Sequence, residues 1–155
     1  MAFKTNVMRL LDKAKAEYKS HCYVNTDAIS GVDVANILNQ NPGQVFKTLV
    51  TVSGTGKDYV FLVPVADELN LKKAANSVDE KAVKMLQSKD LLNITGYVHG
   101  GCSPIGMKKN FITTIDESAG DFKTIIFSAG KIGYQVEVSL EELKKVISFR
   151  LSDII

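Results

Sequence analysis

Three observations predict an α+β fold. Helices, a hairpin, more helices, a succession of strands and a closing helix follow one another, so the strand–helix alternation of a doubly wound sheet is missing. The stretch Val45 to Val52 is rich in β-branched and apolar residues and lies between Asn41-Pro42-Gly43 and Ser53-Gly54-Thr55-Gly56, which marks a strand between two turns. Both faces of that strand are mostly apolar: Val45, Lys47, Leu49 and Thr51 on one, Phe46, Thr48, Val50 and Val52 on the other. It is expected to be covered on both sides.

The elements follow in order. Val7, Leu10, Leu11, Ala14 and Tyr18 recur at helical spacing and predict a one-sided helix over Asn6 to Tyr18. His21 to Asn25 is short and suits an edge strand. Ser30-Gly31 opens a second helix over Val32 to Asn39, which Asn41-Pro42-Gly43 ends. After the Val45 to Val52 strand, Gly54-Thr55-Gly56-Lys57 predicts an antiparallel hairpin with Asp58 to Val65. A helix is expected over Asn70 to Ala75. Ser77 and Glu80 form a capping-box pattern for a further helix over Val78 to Leu86, with another helical turn from Ser88 to Leu92. Strands are expected over Phe111 to Ile115, Thr124 to Ser128 and Tyr134 to Val138. Ser139 with Glu142 caps a last helix, Leu140 to Ile147.

With 155 residues, 45% hydrophobic and 23% charged, the chain is sized for one globular domain over residues 1–155. A net charge of +2 tolerates a nucleic-acid partner without announcing one. No apolar segment is long enough to span a membrane, and Met1 to Asn6 lacks a signal-peptide hydrophobic stretch, so a cytoplasmic protein is expected. Cys22 and Cys102 are too few and too distant for a disulfide framework, and with His21 and His99 they complete no metal-ligand pattern. Neither metal nor cofactor is expected.

Lys47 interrupts the central strand. A buried ammonium is costly unless it meets a partner or a wet cleft. It either snorkels to solvent at the strand end or stands in a pocket facing an anionic or carbonyl-bearing ligand. Gly100-Gly101, followed by Ser103-Pro104, is the second candidate, because adjacent glycines let backbone N–H groups converge on an anion or a carbonyl oxygen. It is neither a Walker loop nor a dinucleotide fingerprint, and an ordinary turn would read the same way. Cys102 with His99 suggests a cysteine nucleophile, but such pairs are assembled by the fold rather than by local spacing, and Cys102 reads as a bystander. Asp116 and Glu117 are adjacent, so on a strand they face opposite ways and make a poor acid–base pair. Lys72-Lys73, Lys108-Lys109 and Lys144-Lys145 suit either a phosphate backbone or plain solvation. Ser128 to Gly133 offers a hydroxyl beside a flexible turn. No nucleophile elbow is present.

Gln44-Val45-Phe46-Lys47-Thr48-Leu49, Gly96 to Gly106 with His99-Gly100-Gly101-Cys102-Ser103-Pro104, and Phe127-Ser128-Ala129-Gly130-Lys131-Ile132-Gly133 occur in one order, and together they resemble the YbaK/EbsC family. These proteins are free-standing relatives of the editing domain inserted in bacterial prolyl-tRNA synthetases. The resemblance runs from about Tyr23 to Ile147. It implies a mixed, barrel-like sheet of about six to seven strands surrounded by helices, and hydrolysis of mischarged aminoacyl-tRNA without a metal. The subgroup most resembled removes cysteine from the tRNA for proline, with the substrate's own thiol attacking its ester. Carried across by position, the resemblance makes Lys47 the functional lysine and Thr48 its neighbour, and Tyr23 borders the pocket. Gly100 and Gly101 face the ester, Pro104 is a rigid corner, Ser128 is the pocket hydroxyl, and Gly130 belongs to the same motif. Ser30 stands where an aromatic is usual and Gln135 where an aspartate is frequent. Both changes bear on amino-acid specificity, with Ile29 beside them. The partners implied are mischarged aminoacyl-tRNA and a prolyl-tRNA synthetase. The rival readings are a deacylase for alanine or serine on the same tRNA, and a non-catalytic module that holds aminoacyl-tRNA or the synthetase.

Overall fold

The computed structural model describes residues 3–28 and 30–155. Helix α1, Asn6–Lys13, starts where the Thr5 side chain accepts from the Met8 N–H, and it buries Val7, Met8 and Leu11. It ends well before Tyr18, because Lys15 adopts the left-handed region (φ 57°). The chain then turns into strand β1, Lys19–Cys22, earlier than the edge strand expected from His21 to Asn25. Helix α2, Gly31–Ile37, carries a full capping box between Ser30 and Asp33. Strands β2, Phe46–Ser53, and β3, Asp58–Pro64, form the expected antiparallel hairpin, with Lys47 opposite Val63. Helix α3 is Leu71–Ser77.

The helix expected over Val78 to Leu86 is absent. Asp79 is left-handed (φ 58°), and strand β4, Val83–Met85, pairs with Thr51 to Ser53 of β2. The capping box fails because its two side chains are engaged elsewhere. The Ser77 hydroxyl donates to the Ala74 carbonyl at 2.7 Å, and the Glu80 carboxylate accepts from the Tyr59 hydroxyl at 2.5 Å. Helix α4, Ser88–Thr95, is longer than the single turn expected, and Gly96 closes it in the left-handed region.

Strands β5, Ile112–Asp116, β6, Ile125–Ser128, and β7, Tyr134–Val138, lie close to expectation. A 3-10 turn, Glu117–Asp121, follows β5. Helix α5 is only Leu140–Leu143, and strand β8, Arg150–Ser152, is an element the sequence did not suggest.

Among the described residues the eight strands form two sheets. One has the order β1-β7-β6 and is antiparallel. The other has the order β4-β2-β3-β5-β8, antiparallel around β2 and parallel from β3 through β5 to β8. A parallel bridge between Val45 and Ile126 joins them into one mixed α+β architecture. The main core holds Val7 and Leu11 of α1, Phe46 and Val50 of β2, Leu62 of β3, and Phe127 and Val136 of the smaller sheet. Tyr59, Phe61 and Val63 face the other way, onto Ala74, Ala75 and Ile154. Strand β3 is thus covered on both faces, which explains its unbroken apolar run.

Candidate active site

The site forms where β2 loses a neighbour. Strand β4 pairs only with Thr51 to Ser53, and the smaller sheet touches β2's start at Val45. From Phe46 to Leu49 β2 is paired on one side only, with β3; beyond them the Val50 carbonyl already accepts from the Leu86 N–H at 3.0 Å. The free edge opens a cavity of about 320 Å³, at the small end of ligand sites. An edge is reached from both faces of a strand, so Lys47 and Thr48, which point oppositely, both line it.

The same cavity is lined by Tyr23, Ser30, Gly100, Ser128 and Gln135. Seven of the residues expected at the site therefore meet in one place. Tyr23 is tied down by its N–H, which donates to the Gly133 carbonyl at 2.8 Å. Ser30 uses its hydroxyl oxygen to cap α2, accepting from the Asp33 N–H at 3.1 Å. The Ser128 hydroxyl oxygen accepts from the Gly130 N–H at 3.1 Å, which leaves its own proton free to donate. Thr48 Oγ1 is buried without a hydrogen-bond partner. Lys47 forms no ion pair among the described residues, and no Asp or Glu lines the cavity there. A lone ammonium beside free hydroxyl donors suits an anionic or carbonyl-rich ligand.

Three expected residues stand elsewhere. The Gly101 N–H donates to the Val98 carbonyl at 3.0 Å, so it closes the turn rather than facing the cavity. Gly101 is also held close to the turn after β6, since a Cβ there would come within 3.3 Å of the Ile132 nitrogen. Pro104 is buried and borders a different groove. Gly130, at φ 87°, has a steric role, because a Cβ would lie 2.9 Å from both Tyr97 and Val7. Ile29 lies outside the described residues.

The sequence reading missed Gln40. Its Nε2 donates to Gln135 Oε1 at 2.8 Å, while its own Oε1 is buried and unpartnered. Gln40 follows α2 and meets β7 only through the fold, so neither spacing nor motif reveals it. Cys102 and His99 also border the cavity. Burial pushes the Cys102 thiol up to about 12, so it stays protonated and is a poor nucleophile. Among the described residues no group of three or more His, Cys, Asp or Glu could hold a metal ion, and no helix is long and apolar enough to cross a membrane.

Comparison with known proteins places the chain among relatives of one kind. Residues 26–146 match the model of the aminoacyl-tRNA editing domain. A protein of Enterococcus faecalis (strain ATCC 700802 / V583), whose assigned name is Cys-tRNA(Pro)/Cys-tRNA(Cys) deacylase EbsC, is 42% identical over 97% of this chain and 93% of its own length. A solved structure assigned as a trans-editing enzyme for prolyl tRNA synthetase superposes with a TM-score of 0.80 at 20% identity, covering 98% of each chain. Another, of a protein described only as hypothetical, gives 0.85 at 18% identity over 97% of this chain and 99% of that one. These two structures speak for the fold alone.

Proposed function

The chain belongs to the aminoacyl-tRNA editing domain family, and from that premise we propose that residues 1–155 act as one trans-editing hydrolase that deacylates Cys-tRNA(Pro), and Cys-tRNA(Cys) beside it. The observation that carries this reading is the convergence of Lys47, Thr48, Gly100 and Ser128 on one small cavity that holds no carboxylate.

An aminoacyl ester is already activated, so little catalytic equipment is required. The substrate's thiol attacks its own ester carbonyl. A sulfur–carbon bond forms, the ribose–oxygen bond to the carbonyl breaks, and the thiol proton ends on the departing ribose oxygen. Water then opens the thioester to free cysteine. Holding an intramolecular nucleophile in line is worth roughly 7–11 kcal/mol. The protein's task is to bend the aminoacyl group and to stabilise the oxyanion. The Gly100 N–H and the Ser128 hydroxyl serve as donors to that oxygen. Lys47 holds a carbonyl or the terminal adenosine's phosphate by charge rather than as a base. The protonated Cys102 takes no part.

Ser30 and Gln135 set the amino-acid preference, with Gln40 fixing the Gln135 amide. The enzyme works in the cytoplasm and gains tRNA selectivity by associating with prolyl-tRNA synthetase. A panel of Cys-, Ala- and Ser-tRNA(Pro) tests the substrate directly. Release of cysteine ahead of the others is expected. Preferred release of alanine or serine would reassign the substrate, and release of none would leave a binding module.

A further inference from the structure

A second feature lies on the far side of the glycine-rich loop. Lys13 ends α1, Lys109 precedes β5, and Lys144 and Lys145 follow α5, yet the four converge on one groove of about 770 Å³. No Asp or Glu lines it. Lys144 and Lys145 are each paired with a glutamate of α5, Glu141 at 3.0 Å and Glu142 at 2.9 Å. Among the described residues Lys13 and Lys109 form no ion pair, although Lys109 lies near enough to Asp58 to favour its charged form. A chain of formal net charge +2 thus presents four lysines and no carboxylate on the lining of one groove.

The groove also stands at a fixed distance from the cavity. Gly100 and Cys102 line the cavity, and Pro104, Ile105 and Gly106 line the groove. The span from Gly100 to Gly106 reaches at most about 20 Å. The loop is pinned there: the Tyr97 hydroxyl donates to the Ile105 carbonyl, and Gly106, at φ 78°, leaves room for that hydroxyl where a Cβ would come within 2.8 Å.

We propose that this groove holds phosphates of the RNA strand adjoining the aminoacylated 3′ end. The proposal rests on the deacylase reading above. Lysines grip phosphates as point charges and carry no sequence information, so the contact positions any aminoacylated tRNA and weakens with salt. Asn110 and Ser148 on the same lining supply neutral donors to phosphate oxygens.

The test compares wild type with the Lys13→Gln/Lys109→Gln double variant on two substrates, full-length Cys-tRNA(Pro) and 3′-cysteinyl adenosine. Matched melting curves verify the fold. For the tRNA, kcat/KM is expected to fall about tenfold at low salt, mainly through KM, and the log–log salt slope to flatten by about two. Turnover of cysteinyl adenosine should not change. An equal loss on both substrates, no loss on the tRNA, or a loss seen only when a synthetase is added would overturn the proposal. The last of these would make the groove a protein-docking site. If wild type cleaves neither substrate, the deacylase reading fails, and binding of labelled uncharged tRNA decides the groove separately. Salt-sensitive binding that the variant loses sustains the groove, and equal binding by both proteins ends it.

Discussion

Lys47 is the one charged residue of a mostly apolar strand, and it is tolerated because the strand edge beside it is open. The lysine is neither a buried ion nor a snorkelling surface charge; it lines a concave site. The same reasoning separates it from Cys102, the more conventional nucleophile. A thiol held up to about 12 by burial carries almost no thiolate at neutral pH. Cys102→Ala is therefore expected to keep most of its deacylation rate, with a modest loss of stability from the packing it leaves. Iodoacetamide should modify the exposed Cys22 well before the buried Cys102. A folded but inactive Cys102→Ala variant, or rapid alkylation of Cys102, would restore the cysteine-hydrolase reading.

At the scale of elements, β2, β3, β5, β6 and β7 were legible, β3 most plainly because a strand covered on both faces announces itself by an unbroken apolar run. Segments whose structure depends on distant partners were not. Val78 to Leu86 carries a helix-start pattern, yet pairing of Val83 to Met85 with β2 and the Tyr59–Glu80 hydrogen bond override that local preference. Strand β8 is short and rests on a contact no local pattern contains. The Asp116 carboxylate accepts from the Ile154 N–H at 3.0 Å and from the Ser118 N–H at 3.1 Å. Asp116 is thus a buried fastener for the C-terminal strand and for the 3-10 turn. Asp116→Ala leaves the buried Ile154 N–H unpaired, which should cost about 1–3 kcal/mol, with a smaller loss at the half-buried Ser118 N–H. Urea unfolding of that variant checks it, and a midpoint equal to wild type would show the fastener to be idle. The candidate site shows the same division. Lys47, Thr48, Gly100 and Ser128 lie in the family motifs, Tyr23, Ser30 and Gln135 were matched to the family by position, and the fold brings all seven to one cavity. Gly101, Pro104 and Gly130 share those motifs but do not line the cavity, since a motif marks the loop without saying which side each residue faces.

At the scale of the whole molecule, the two sheets share the main core, and a polar network in the smaller sheet is tied to the start of β2 through Gln44. The Glu137 carboxylate on β7 accepts from the Thr124 hydroxyl at 2.6 Å and lies 2.8 Å from His21 Nε2 on β1. Gln44, just before β2, donates to the Thr124 carbonyl at 3.0 Å. Burial by itself pushes the Glu137 carboxyl up, but its bonds to Thr124 and His21 outweigh that and hold it below the ordinary 4.5. A carboxyl depressed in the folded state binds fewer protons there than when unfolded. Its stabilisation is present above 4.5 and is lost as pH falls through the lower folded value. Glu137→Gln should therefore melt below wild type at neutral pH, and the gap should close well below 4.5. A gap that stays constant with pH would assign the effect to packing instead.

In the proposed mechanism the Lys47 ammonium, sharing one cavity with Gly100 at an open strand edge, makes that cavity a deacylase site. The most direct measurement is single-turnover hydrolysis of Cys-tRNA(Pro) by wild type and Lys47→Ala, with thermal melts run in parallel. Removing an electrostatic contact of this kind is expected to slow cleavage by about 10²–10³-fold while the melting temperature holds. Cleavage at the wild-type rate by a folded Lys47→Ala protein would remove Lys47 from the mechanism.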